Sequence, residues 1–368
     1  MSPFHKISLF FALSSLALGE VGNSSQALAE EIGSLRNAKV AIELSDPKTE
    51  VTYFARSVPK ADQEQLSRIA PNLKIVTGLS PADLLARAEE VHAIEGRYAT
   101  PEFLKKATNL RWVQIQSAGV DRYITVDELI ENEAIVLTNF RAIHGPAIAD
   151  HAMAMLLSQT RNLNYYNEAQ QKEKWQRNDS PRPCISLKGK TMFVVGLGGI
   201  GSEIAQRAHG FGMRVIGTRR SDSPRPDYVE KVGKPDDLLS FLAEADVVAL
   251  AVPLVPATTH LLDAEAFSAM KKGALLINIA RGKVIDTDAM LSALEEGQLG
   301  GACLDVTDPE PLPAGHPLWK HPNVTITPHM AGRSKVTDQR RSALNVENLR
   351  RFAAGEPLLN VVDKNAGY

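Results

Sequence analysis

Three residues of types that do anion and acid–base chemistry stand at or between the ends of apolar runs in the second half of the chain. Arg281 follows "LLINIA", His329 closes "VTITPH", and Glu310 lies between them in the proline-rich "DPEPLP" loop. A guanidinium offers several donors in a fixed fork and a permanent charge, which suits a carboxylate or a developing oxyanion. An imidazole titrates near neutral pH and can give or take a proton there. Apolar runs of this kind end at the carboxyl edge of an open α/β sheet, where ligands bind, so a cation, a carboxylate and an imidazole could meet in one crevice. Taken singly, each has a plain alternative: a surface cap, a loop charge, a satisfied histidine.

A second signal lies upstream in "VVGLGGIGSEIAQRA". Gly196, Gly198 and Gly201 form G-x-G-x-x-G, with Gly199 and Ile200 inside it, directly after an apolar run and before a helix start. In that context the first glycine permits a tight turn, the second lets the backbone approach a pyrophosphate, and the third lets helix and strand pack closely. The helix N-terminus adds amide donors and positive potential for phosphates. With a second strand at "MRVIGT" completing the unit, the motif predicts a dinucleotide site.

An acidic residue is expected about 20 positions after such a motif, where it accepts from the adenosine ribose hydroxyls. This chain has Thr218-Arg219-Arg220 at that corner and no carboxylate before Asp222. Two guanidiniums beside a small hydroxyl make a phosphate site, against the alternative of two solvated surface arginines. NADP(H) is therefore the preferred cofactor, with NAD(H) left open.

The elements that must position these groups follow from hydrophobic patterning. The runs "KVAIEL", "KIVTGL", "VHAIEG", "LRWVQIQ" and "AIVLTN" read as strands, with helices at "SPADLLARA" and "TVDELIE" between them, which predicts a parallel βαβ domain. A second series, "TMFVVGLG", "MRVIGT", "ADVVALAVP", "ALLINIA", "GGACLDV" and "VTITPH", is apolar on both faces, as strands covered by helices on both sides must be. Between the series, "PAIADHAMAMLLSQTRNLNYYNEAQQKEKW" reads as one long helix that leaves its domain and continues as an exposed arm. The 368 residues suffice for two cores. A net charge of -2 gives no basic surface for nucleic acid. Cys184 and Cys303 match neither a disulfide framework nor a zinc pattern, and neither is expected to be catalytic.

Residues 1–29 read as a leader outside the fold. Lys6 precedes an apolar core from Ile7 to Leu18, and Ala27-Leu28-Ala29 has the small-x-small spacing of a signal-peptidase site. The core is too short to span a bilayer as an ordinary helix. Export to a bacterial periplasm, a mature chain beginning near Glu30 and no stable membrane association after cleavage are expected. A cytoplasmic location follows if residues 1–29 are merely an extension.

From about Leu110 to Asn360 the sequence resembles the D-2-hydroxyacid dehydrogenases, the D-isomer-specific group. The resemblance rests on "SAGVD", "GLGGIG", "ADVVALAVPLVPATTHLLDAEAFSAMKKGALLINIARG", "DVTDPEPLP", "HPLW", "NVTITPH" and "AG" in that order. It implies two Rossmann-like, doubly wound parallel-sheet α/β domains, the cofactor domain (148–329) being inserted into a substrate domain made of 30–147 and 330–368. It also implies a homodimer formed with the help of the long middle helix.

By the same resemblance Arg281 would grip the substrate carboxylate and polarise the C2 oxygen, with Ser117, Ala118, Gly119 and Val120 completing the cradle. His329 would be the acid when a 2-keto acid is reduced and the base in the reverse direction, with Glu310 orienting the imidazole. Val252, Pro253, Thr258, Ile279, Ala280, Asp305, Ala331 and Gly332 would join the glycine motif and the Thr218-Arg219-Arg220 corner in holding the cofactor. No metal is implied. The expected activity is reduction of a glyoxylate-, hydroxypyruvate- or pyruvate-like 2-keto acid to a D-2-hydroxy acid. Two other readings stay open: a non-catalytic, cofactor-sensing scaffold, and the phosphoglycerate or phosphite dehydrogenase branch. Asp150 stands where many relatives carry Glu, and Glu310 disfavours the formate dehydrogenase branch, which carries Gln there.

Overall fold

The computed structural model describes residues 28–29 and 38–367 except 45, 47, 178 and 181. The leader read from Lys6, Ile7 to Leu18 and Ala27, and the mature start near Glu30, lie outside the described residues.

Among the described residues, twelve strands form two wholly parallel sheets. The first contains β1 (Val51–Ala55), β2 (Leu73–Thr77), β3 (Ala93–Glu95), β4 (Trp112–Gln114) and β5 (Val136–Thr138), in the order β2-β1-β3-β4-β5. The second contains β6 (Thr191–Val195), β7 (Arg214–Thr218), β8 (Lys231–Gly233), β9 (Val247–Leu250), β10 (Ala274–Asn278), β11 (Leu299–Leu304) and β12 (Val324–Ile326), in the order β12-β11-β10-β9-β6-β7-β8. Strand order reverses beside β6, so the crevice at the carboxyl ends of β6 and β9 is where such a sheet binds its ligand. β6, β9 and β10 are buried along their whole length, which is why their sequences carry no polar alternation.

Four helices concern the site. Helix α1 (Gly145–Thr160) lies against α3 (Gly199–Gly210), the helix that follows the glycine motif, through Ala149, Ala152, Met153 and Leu156 on its side and Ile204, Ala205 and Ala208 on the other. Helix α2 (Leu163–Gln171) follows α1, and α4 (Lys335–Ala353) follows His329. Val346, Leu349 and Phe352 of α4 share a core with Tyr53 and Trp112 of the first sheet, and the Phe352 ring lies 5.2 Å from that of Trp112. The chain after His329 therefore returns to the sheet with which it began.

Two expectations need correction. The segment "KVAIEL" is not a strand: it contributes one antiparallel bridge, Val40 to Pro357, while Ala41, Ile42 and Leu44 pack on the core. The first strand is "VTYFA", β-branched and aromatic, fully buried and paired on both sides by β2 and β3. The long middle helix is also two helices. It breaks at Arg161-Asn162, where Asn162 adopts φ 54°, a left-handed conformation that asparagine tolerates and a continuing helix cannot contain.

Candidate active site

The crevice between the sheets is a cavity of about 660 Å³. Its wall includes Ser117 to Val120 from the loop after β4, Arg281 after β10, Asp305 after β11, and His329, Ala331 and Gly332 after β12. Ile200, Val252, Pro253, Ile279 and Ala280 line it too. Residues from both sheets thus meet there although up to 212 positions separate Ser117 from His329 in sequence.

His329 Nδ1 lies 2.7 Å from Glu310 Oε1, both side chains being about half exposed. That contact fixes the ring's orientation and leaves Nε2 as the atom that can exchange a proton with a ligand. His329 adopts φ 49°. Its own N–H is shared between Asp305 O at 2.8 Å and Thr327 O at 3.0 Å, which ties the turn back to the strand ends. Asp305 is 3% exposed. Its Oδ1 accepts from the Thr327 hydroxyl at 2.6 Å and from Met330 N–H at 3.0 Å, and its Oδ2 from Ala331 N–H at 2.9 Å. The residue expected to touch the cofactor is thereby also the anchor of the His329 turn.

Arg281 Nε lies 3.2 Å from Asp121 Oδ1 across the crevice, and Nη1 donates to Ala280 O at 2.8 Å. The approach depends on Gly119, because a Cβ there would sit 1.7 Å from Arg281 Nη2 and 2.8 Å from Asp121 Oδ1. The loop that accepts Arg281 is held by Ser117 Oγ donating to Gly119 O at 2.7 Å and Asn139 Nδ2 donating to Ala118 O at 2.8 Å. A guanidinium and the ring nitrogen of His329 therefore face one cavity, an arrangement that can hold a carboxylate and protonate the oxygen beside it.

The residues around the glycine motif fit a dinucleotide. Gly196 has φ 99°, and a Cβ on Gly201 would lie 2.0 Å from Gly196 O, so helix and strand meet at this distance only with glycine in place. A Cβ on Gly198 would meet nothing within 4 Å, which leaves open space beside the backbone where a pyrophosphate approaches. Gly198 is the N-cap of α3 and no side chain caps it, so the first amides of the helix are left for a ligand.

At the corner expected to meet the adenosine, Thr218 is 4% exposed, while Arg219 is partly buried and Arg220 exposed. The outward-facing members of that triplet are the two arginines. The Arg219 guanidinium folds over its own loop to Ser223 O, and its Nε is buried without a hydrogen-bond partner. Lys234 after β8 brings a further cation, donating to Arg220 O at 3.1 Å and pairing with Asp222. Thr258 closes its own turn: its hydroxyl donates to Pro253 O at 2.7 Å and accepts from Val255 N–H at 2.9 Å.

Sequence reasoning missed Asp121, His144 and Lys234. His144 caps α1 and lines the cavity, with its Nδ1 buried and unpartnered. Burial, with the Arg341 charge adding to it, pushes the imidazole down to about 4, so it is neutral at physiological pH. Of the cysteines, Cys184 is exposed and Cys303 buried, and burial pushes the Cys303 thiol up to about 12, which makes it inert.

Residues 153–331 match the sequence signature described as D-isomer specific 2-hydroxyacid dehydrogenase, NAD binding domain. The chain is 35% identical over 289 residues to the glyoxylate reductase of Korarchaeum cryptofilum, covering 76% of this chain and 85% of that one. It is 32% identical over 297 residues to the D-3-phosphoglycerate dehydrogenase of Methanocaldococcus jannaschii, covering 79% of this chain but 55% of that longer one. In three dimensions it is similar to a D-isomer specific 2-hydroxyacid dehydrogenase from Xanthobacter autotrophicus Py2, crystallised with NADPH and MES. That likeness has a TM-score of 0.71 and 29% identity, and covers 87% of this chain and all of that one.

Proposed function

The chain belongs to the D-isomer specific 2-hydroxyacid dehydrogenase family, and within it we propose a reductase of small 2-keto acids, of glyoxylate or hydroxypyruvate size, that prefers NADPH. The observation that carries the reading is His329, held on Glu310 at 2.7 Å and lining the same cavity as Arg281. A bound nicotinamide cofactor supplies the hydride for the keto carbon. The chain's own groups do the rest. Arg281 and the 117–120 backbone hold the carboxylate and keep the keto oxygen near the guanidinium, where negative charge develops. His329 gives that oxygen a proton from Nε2, with Nδ1 fixed on Glu310. In the oxidative direction the same imidazole takes the proton from the hydroxyl.

The glycine motif, the start of α3 and the Arg219-Arg220 corner would hold the cofactor, the last of these at a 2′-phosphate. Support for NADPH comes from that corner's charge and from the relative crystallised with NADPH. The test is to mix the purified chain with NADPH and glyoxylate or hydroxypyruvate and follow the reduced-nicotinamide absorbance. No decrease with any 2-keto acid would sink the reading.

Two further parts of the proposal concern assembly and location. Leu163 is 51% exposed at the start of α2 and Trp175 is 95% exposed just beyond it, two large apolar side chains on an otherwise polar, exposed arm, where a second copy of the chain could cover them. Light scattering that gives a monomer mass would remove the homodimer. Export rests on residues 1–29, and N-terminal sequencing of fractionated bacterial cells reads it directly, since a chain that keeps Met1 in the cytoplasm is not exported.

A further inference from the structure

Helix α1 runs alongside β12 and presents His151, Met155 and Gln159, spaced four apart, on one face. Gln159 Nε2 donates to Asn323 O at 2.9 Å, just before the strand, and lies 3.1 Å from Thr325 Oγ1 in its middle. Met155 Sδ lies 3.8 Å from Thr327 Oγ1. His151 reaches the end of the strand, with Nε2 2.9 Å from the same Thr327 oxygen.

The direction of that last bond follows from proton counting. Thr327 has one hydroxyl proton, and the 2.6 Å contact to Asp305 Oδ1 takes it, since the carboxylate has none to give. The imidazole must then donate its Nε2–H to the hydroxyl oxygen. His151 N–H, Thr327 O–H and the Asp305 carboxylate form one chain, and the far end of that chain is the pair of amides of Met330 and Ala331. Those amides directly follow His329, whose φ of 49° lies in a region that non-glycine residues seldom occupy.

We propose that His151 is a positioning residue for His329. By donating to Thr327 it holds the hydroxyl in the rotamer whose proton stays on Asp305, and Asp305 in turn keeps the left-handed turn closed and the His329 ring on Glu310. Without the donor the hydroxyl can turn to other acceptors, and the carboxylate loses a short charge-assisted bond. The proposal rests on the proton-transfer reading of His329 given above.

The test uses the full chain with three substitutions. His151→Leu removes the donor, His151→Gln keeps an N–H at similar reach, and Thr327→Val removes the hydroxyl while keeping shape. Amide hydrogen exchange at Met330 and Ala331, read without substrate, should speed up about tenfold in the Leu and Val variants, the scale of one hydrogen bond lost, and stay near parental in the Gln variant. In turnover, His151→Leu should lower kcat about tenfold with the KM for keto acid little changed, and the solvent deuterium isotope effect on kcat should rise as proton transfer becomes limiting. The Leu–Val double variant should be no worse than either single one, as expected of links in one chain. Parental exchange at both amides in His151→Leu, or equal impairment of the Leu and Gln variants, overturns the proposal. If His151→Leu does not fold, Thr327→Val carries the same comparison. A parent chain that turns over no keto acid defeats the reading of His329 instead, and the exchange measurement still decides the clamp.

Discussion

Arg281 and Asp121 come from different sheets and meet with Nε 3.2 Å from Oδ1. The cation that the sequence marks as the anion-binding group is therefore not left to orient itself. A carboxylate across the crevice holds one edge of the guanidinium, and the Ala280 carbonyl holds Nη1. What remains for a ligand is the Nη2 end, lying over the bare Cα of Gly119.

Asp121→Ala should accordingly raise the KM for keto acid by roughly ten- to a hundredfold, the worth of a hydrogen bond to a charged group, with the dissociation constant for cofactor unchanged. Steady-state kinetics beside a fluorescence titration with NADPH separates the two. A parental KM would mean that Arg281 needs no partner.

Gly119→Ala is the steric counterpart. The added methyl would sit 1.7 Å from Arg281 Nη2, so the guanidinium must leave the 117–120 loop. The loss in kcat/KM for keto acid should exceed that of Asp121→Ala, while the melting temperature stays within a few degrees, since the lost contact lies on a cavity wall and not in a core. Full activity in this variant would show that Arg281 works from another position.

How much of this was legible beforehand depends on distance along the chain. The β6–α3 unit was readable because each of its constraints is local: a run buried on both faces, three glycines at fixed spacing, a helix start. Arg281, Glu310 and His329 were readable as residue types at strand ends. Asp121 was not, because its role exists only when a loop 160 positions before Arg281 folds over it. His144 was hidden for the same reason: its ring meets Gly332, 188 positions on, where a Cβ would come within 2.9 Å of it. The first strand was misplaced because "KVAIEL" alternates as an edge strand should, whereas "VTYFA" does not alternate at all, being central and buried on both faces.

His329→Ala should lower turnover by about a hundredfold to ten-thousandfold, as for loss of a general acid, with cofactor binding retained. Stopped-flow turnover with saturating NADPH and a parallel binding titration measure it. Parental turnover would remove the proton-transfer role.

His144 predicts how stability depends on pH. Its folded-state value is lowered from 6.5 to about 4, mainly by burial, so between those values the unfolded chain binds a proton that the folded chain refuses. Stability therefore falls as pH drops through that window and is restored as pH rises through it, by about 3 kcal/mol in total. In His144→Asn that contribution should vanish, so the melting temperature of the variant should decline less than the parent's between pH 6.5 and pH 4. Parallel curves for the two proteins would mean that His144 takes up its proton equally in the folded and unfolded chain.

The proposed cofactor preference turns on Arg219. Thr218 is buried at 4% exposure, so an acid placed there would be desolvated. Arg219 is the partly exposed position at the end of β7, and its Nε is buried with no partner. If Arg219 and Arg220 hold a 2′-phosphate, the chain should prefer NADPH to NADH by roughly ten- to a hundredfold for one productive contact and somewhat more for two. The charge of Lys234, held on the Arg220 carbonyl, adds to the same potential. Arg219→Asp should reverse the preference, because it removes a donor, supplies an acceptor for both ribose hydroxyls and repels the phosphate. Lys234→Ala should weaken NADPH binding more than NADH binding without reversing the order. Since these charges sit at a solvent-facing rim, the parental preference should shrink as ionic strength rises. The measurement is kcat/KM for each cofactor at low and moderate salt, beside dissociation constants from nicotinamide fluorescence so that binding and turnover are read apart. Equal values for the two cofactors in the parent would mean that the arginines serve the surface and not the cofactor.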